Sequence, residues 1–175
     1  MSSKQPDSPA NADGFNADVA RLNSLAGLYR AQGAHAQAAS LYERALRIRE
    51  TALGPEHPDV AMSLTNLARL YQDQGAYAQA APLYERALRI REAALGAEHP
   101  HVATSLNNLA GLHQDQGAYA QAAPLYERAL RIREAALGAE HPHVATSLNN
   151  LAMLYQDQGA YAQAAPLYER AVSCS

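Results

Sequence analysis

Two His-Pro-His triplets, His99-Pro100-His101 and His141-Pro142-His143, recur 42 residues apart, and Glu98 and Glu140 stand just ahead of them. Imidazole and carboxylate are ligand types that zinc and nickel accept. The related stretch at His57 carries Asp59 in place of the second His, and spacing fixes no further ligand. A loop leading into a helix that starts on proline accounts for the same residues. A second series is Asn66, Asn108 and Asn150, also 42 apart. A carboxamide carries both donor and acceptor, so such a row can hold a peptide backbone without reading its side chains. A third is the run YERALRIRE, starting at Tyr42, Tyr84 and Tyr126. Its acids alternate with its arginines, and Glu85 and Arg89 have the spacing of helical partners. Arg49, Arg91 and Arg133 fall on the apolar stripe of that run. Their stems are expected to pack while the guanidinium pairs with a loop acid.

Single residues offer less. His113 stands where two other copies have Tyr71 and Tyr155, and spacing places no acid or nucleophile beside it. Cys174 is read as an exposed tail thiol. One cysteine excludes an intramolecular disulfide and a cysteine-rich zinc site. No GxxxxGK[ST], HExxH or GxSxG motif is present. The expectation is a protein without enzymatic activity or cofactor.

The repeats explain this spacing. Residues 76–117 and 118–159 agree at 40 of 42 positions, differing only at Gly111/Met153 and His113/Tyr155. Residues 34–75 agree with 76–117 at 33 of 42. Residues 16–33 are a diverged match to the end of one period, and 160–171 repeat the start of another. Each period holds two helical patterns. The first runs from about Pro58 to Gln74, with Val60, Leu64, Leu67, Ala68 and Tyr71 on one face. The second runs from about Tyr77 to Leu95, with Ala80, Leu83, Tyr84, Ala87 and Leu88 as its stripe. Gly75 and Gly96 end them. Short turns force the pair antiparallel, and one such hairpin buries its apolar face only by stacking on others. Pro82, Pro124 and Pro166 lie beyond the first turn of the second helix. They are read as a tolerated bend, the alternative being a helix start near Ala80.

Leu64, Leu67, Ala68, Tyr71, Ala80, Tyr84 and Ala87 have the spacing of the tetratricopeptide repeat signature. Leu22, Leu25, Ala26, Tyr29, Ala38, Tyr42 and Ala45 repeat it, as do Leu148, Leu151, Ala152, Tyr155, Ala164, Tyr168 and Ala171. The third copy matches through Leu106, Leu109, Ala110, Ala122, Tyr126 and Ala129, with His113 in the tyrosine's place. With its 42-residue period the chain resembles the kinesin-light-chain type of repeat, which also occurs in bacterial proteins. The resemblance covers about residues 16–172. It implies an all-α, right-handed solenoid of four antiparallel hairpins, at about 16–57, 58–99, 100–141 and 142–172. Residues 1–15 are expected to be a flexible arm and 173–175 a tail.

The resemblance also implies a concave groove, lined by the first helix of each hairpin, that holds a peptide of a partner protein. The residues expected to line it are Asn23, Met62, Thr65, Asn66, Arg69, Asn107, Asn108, Gly111, Asn149, Asn150 and Met153. Asn at the 66/108/150 position lines the groove in the resembling family. Positions that vary between copies would set choice: Met62/Thr104/Thr146, Thr65/Asn107/Asn149, Arg69/Gly111/Met153 and Tyr71/His113/Tyr155. Gly111 either opens a gap for a ligand side chain or is a neutral change. Arg30 and Arg69 are the only basic candidates there, opposed by Asp73, Asp115 and Asp157. Capture of chaperone tails through a basic carboxylate clamp is therefore not expected.

Composition narrows the partners. The chain has 175 residues and a net charge of −3, with Lys4 the single lysine among 14 basic residues. Nucleic-acid binding is not expected from such a balance. The polar N-terminus suggests no signal peptide, and no apolar run reaches the ~18 residues of a membrane span. A cytoplasmic location is the expectation. The rival to a peptide groove is a scaffold that stacks head to tail. The last second helix stops near Val172, and an open end there is expected to expose parts of Leu151, Leu154 and Leu167.

Overall fold

The structure, a computed structural model, describes residues 9–174. Eight helices follow one another with no strand among the described residues: α1 (Pro9–Ala31), α2 (His35–Leu53), α3 (Pro58–Asp73), α4 (Tyr77–Leu95), α5 (Pro100–Asp115), α6 (Tyr119–Leu137), α7 (Pro142–Asp157) and α8 (Tyr161–Ser173). They pack as four hairpins, α1/α2 to α7/α8, and each second helix also packs on the next hairpin's first. Helix α1 already runs through residues 9–15, which the sequence suggested would be a flexible arm. Residues 1–8 of the expected arm, and Ser175, lie outside the described residues.

Local chemistry sets the helix ends. Pro58, Pro100 and Pro142 open α3, α5 and α7, where a missing N–H costs nothing. The preceding histidine caps each one. Nδ1 of His57, His99 and His141 accepts from the backbone N–H two residues on, at 3.2, 3.1 and 3.1 Å. These histidines thus serve helix starts. Among the described residues, no three His, Cys, Asp or Glu side chains come together as a metal cage. Helix α4 ends at Gly96, whose φ of 89° and ψ of 150° suit glycine alone. Helices α4, α6 and α8 start at Tyr77, Tyr119 and Tyr161 and run on through Pro82, Pro124 and Pro166. The later start near Ala80 is not what forms.

Small residues sit where the two helices of a hairpin cross. Ala68, Ala80 and Ala87 are fully or almost fully buried, as are Ala110, Ala122 and Ala129. Leucines fill the seams between hairpins. Leu67 and Leu70 pack with Ala38 and Tyr42 of the preceding hairpin, and Leu109 and Leu112 with Ala80 and Tyr84. The core is accordingly a chain of separate clusters: some straddle two hairpins, and others lie within one hairpin and are edged by a leucine of the preceding one, Leu46 or Leu88.

Position in the stack decides exposure. Leu28 is 60% exposed, whereas its equivalents Leu70, Leu112 and Leu154 are fully buried. Leu25 is likewise open, and Leu67, Leu109 and Leu151 are buried. The expected exposure of Leu151 and Leu154 is therefore wrong. These leucines face the preceding hairpin, so they are bare only in the first. At the other end the open residues are Tyr161 and Val172, with Leu167 half-buried. Cys174 is also buried rather than exposed, its Sγ lying 3.1 Å from the Ala139 carbonyl oxygen.

Candidate functional site

Helix α5 approaches α7 directly as well as through α6, and the first helices of the hairpins, α1, α3, α5 and α7, are taken together as the inner row. They carry the expected groove residues. Met62 and Met153 are about half exposed. Arg69 and Asn149 are exposed, and Asn23, Asn66, Asn107, Asn108, Gly111 and Asn150 half-buried. Thr65 departs from expectation. It is buried, and its hydroxyl donates to the Ala61 carbonyl oxygen at 2.8 Å within its own helix. Nδ2 of Asn108 and Oδ1 of Asn23 are buried and have no hydrogen-bond partner.

Asn107 is engaged by the fold. With its amide oxygen turned to Arg133, it accepts from Nη1 at 3.0 Å and Nη2 at 3.2 Å. Gly111 makes a notch between Arg69 and Met153. A Cβ there would stand 3.4 Å from Oη of Tyr126, so that hydroxyl floors the notch. Burial pushes the Tyr126 hydroxyl up to about 12, and the nearby Asp115 and Asp157 add to it. Tyr84 is likewise pushed up to about 12 by burial, with Arg69 opposing.

The inner-face acids have partners that the sequence reading missed. Gln72 Nε2 donates to Asp115 Oδ2 at 2.6 Å, and Gln72 Oε1 accepts from the Tyr84 hydroxyl at 2.8 Å. Gln114 does the same between Asp157 and Tyr126, at 2.6 and 3.0 Å. Arg30 takes this place in the first hairpin, 3.4 Å from Asp73. Each link joins residues 43 apart, one period plus one residue. That spacing was the available signal. On the outer row, Arg86 pairs with Glu50, Arg128 with Glu92 and Arg170 with Glu134, at 2.7, 2.7 and 2.6 Å. The closing acid of each YERALRIRE run thus binds the next hairpin's arginine.

Arg49, Arg91 and Arg133 do not find loop acids, because their guanidinium groups reach the serine row of the next first helix. Arg49 Nη1 donates to Ser63 Oγ at 2.9 Å and to the Asp59 carbonyl oxygen at 3.1 Å. Arg91 Nη1 donates to Ser105 Oγ at 2.6 Å. Arg133 Nη1 donates to Ser147 Oγ at 2.9 Å and to the His143 carbonyl oxygen at 3.1 Å. Burial holds all three below the usual arginine range, with Asp59 opposing this at Arg49.

Helix pairs of 16 and 19 residues, stacked in a 42-residue period through small–large packing, are a repeat architecture in sequence and in space. The tetratricopeptide repeat family pattern matches residues 18–93, 72–135 and 101–175. The chain belongs to the tetratricopeptide repeat family. Solved neighbours with repeats of the kinesin-light-chain type are among its matches. BtubC (BKLC) from P. vanneervenii is 28% identical with a TM-score of 0.78, over 89% of this chain and 62% of that one. The chain thus spans less than two thirds of that neighbour. The nearly identical TPR-like repeats of a kinesin light chain from Podosopora anserina are 33% identical with a TM-score of 0.73, over 89% of this chain and 74% of that one. A variant of those same repeats is 30% identical with a TM-score of 0.77, over 89% of this chain and 73% of that one. No curated protein matches the chain. A tetratricopeptide solenoid is an interaction scaffold, and no helix among the described residues is long and apolar enough to cross a membrane.

Proposed function

We propose that the inner face holds an extended peptide of a partner protein. Asn66, Asn108 and Asn150 grip its backbone, while Arg69, Gly111 and Met153 read its side chains. The observation that carries this reading is the row of Asn66, Asn108 and Asn150, one period apart and each half-buried on a first helix, where a carboxamide can offer both a donor and an acceptor to a peptide backbone. Thr65 is left out of the set because its side chain is already satisfied within α3. Asn107 would act through Arg133 rather than by touching the peptide.

The test is capture from a lysate with the intact chain beside the Asn66→Ala/Asn108→Ala/Asn150→Ala variant. A partner retained by the first and lost from the second, with helicity equal, supports the groove. Equal retention removes it.

A second reading is head-to-tail stacking of copies. It is favoured by the exposure of Leu25 and Leu28, whose equivalents pack against a preceding hairpin in every other repeat. At the far end, α8 presents the YAQAAPLYER sequence that α4 and α6 use to receive the next hairpin. A mass that rises with concentration and falls back in Leu28→Glu would support stacking. A strict monomer would end it.

A further inference from the structure

The seams between hairpins enclose related cavities near the starts of the first helices. One, of about 210 Å³, lies between the second and third hairpins and is lined by Asp59, Met62, Arg91, Leu95, His99 and His101 among others. Its counterpart of about 170 Å³, between the third and fourth, is lined by Pro100, His101, Thr104, Arg133, Leu137 and His143. One period on, Asp59 has become His101 and Met62 has become Thr104. The second cavity therefore exchanges a carboxylate and a thioether for an imidazole and a hydroxyl.

Its electrostatics are one-sided. Arg133 is only 7% exposed. It has hydrogen bonds to Ser147, the His143 carbonyl and Asn107, all neutral acceptors. No carboxylate pairs with it among the described residues, although buried charges ordinarily are paired. Its Nη2 points to the cavity wall, 3.5 Å from Thr104 Oγ1. His101 and His143 add ring nitrogens from the first turns of α5 and α7, where the helix dipole is positive. A neutral imidazole still offers one N–H. The volume takes a tetrahedral oxyanion with a few waters of about 30 Å³ each.

We propose that this cavity between the third and fourth hairpins is an oxyanion site that accepts a phosphate or carboxylate group. Arg133 supplies the charge, and Thr104, His101 and His143 supply the remaining donors. The sister cavity, with Asp59 in its wall, is disfavoured for the same ligand. An oxyanion can occupy the site whether or not a peptide lies along the inner face.

The test titrates inorganic phosphate, and separately acetate, into the full chain, following histidine ring and threonine signals by NMR. The expected result is one saturable site that shifts His101, His143 and Thr104 together. Saturation by phosphate alone would assign a phosphoryl group, and by acetate alone a carboxylate. The variant His101→Asp/Thr104→Met installs the sister cavity's own residues at equivalent places, so the fold accommodates it. It should bind at least about tenfold more weakly, the scale of a lost charge-assisted contact. The reverse variant, Asp59→His/Met62→Thr, should gain a second site of similar affinity. No saturable shift at millimolar anion, or unchanged affinity in His101→Asp/Thr104→Met, would overturn the assignment.

Discussion

The seam between the second and third hairpins and the seam between the third and fourth are built on the same frame with different inner faces. Leu109 and Leu112 of α5, which pack on the second hairpin, have identical counterparts in Leu151 and Leu154 of α7, which pack on the third, and all four are buried. The two 42-residue units starting at residues 34 and 76 differ at nine positions, and five of these, 59, 62, 65, 69 and 71, lie in α3. Where the structure needs volume the copies agree. They diverge at 59, 62 and 69, where α3 and α5 meet solvent or a cavity, with Thr65 the buried exception. Packing is thus carried mainly by one face of the helix, and most variation on the other leaves it intact.

This comparison is broken most forcefully through the shared frame. Leu106→Ala and Leu148→Ala each delete a fully buried side chain, and each should cost about 2–5 kcal/mol in chemical unfolding. The two losses should be alike; a large inequality would mean that the seams are not equivalent. Gly96→Ala and Gly138→Ala come next. Both glycines hold a positive φ, 89° and 85°, with an extended ψ, so a Cβ should cost about 1–3 kcal/mol at either place.

The buried arginines sharpen the difference. Ser105→Ala removes the one hydrogen-bond acceptor described for Arg91, and a loss of about 1.5–3 kcal/mol is expected. Ser147→Ala should cost less, because Arg133 keeps the His143 carbonyl and the Asn107 amide. Equal losses would remove Asn107 from this supporting role. Smaller still is Gly111→Ala, which restores helix propensity and should stabilise by up to about 1 kcal/mol, provided Tyr126 yields slightly at 3.4 Å. High pH should affect both seams together. Tyr84 and Tyr126 are held up to about 12 when folded, against about 10 unfolded. Their contribution is complete below about pH 10 and lost as pH rises from there through about 12, since the unfolded chain releases its protons first. Tyr126→Phe should flatten that alkaline slope in unfolding curves taken across this range.

The fold was legible because a helix period, its end signals and the 42-residue repeat all point the same way. Pro58, Gly75, Tyr77 and Gly96 mark ends within a residue or two of where the helices stop and start. Of the expected groove, the placement of Asn66, Asn108 and Asn150 on the first helices of their hairpins was legible, and the peptide itself stays a proposal. What escaped were contacts made across hairpins. A guanidinium on an apolar stripe suggests an acid, yet Arg91 and Arg133 reach serines fourteen residues on, because α4 and α6 deliver them to the next first helix. Thr65 looked exposed by its helical position but faces its neighbour closely enough to be covered. The exposed ends were misjudged for a similar reason: the direction in which Leu-x-x-Leu faces depends on stacking order, which periodicity alone does not encode. Cys174 is covered by the same tertiary route, through the loop at Ala139.

The claim that the inner face is the recognition surface is tested most directly by panning a random peptide display library against the intact chain. Selected peptides would then be titrated calorimetrically into that chain and into the Asn66→Ala/Asn108→Ala/Asn150→Ala variant, with helicity matched. The selected peptides are expected to bind the intact chain and to lose at least about tenfold in affinity for the variant, a loss of about 1.4 kcal/mol or more. Peptides that bind both chains equally would place recognition elsewhere and contradict it.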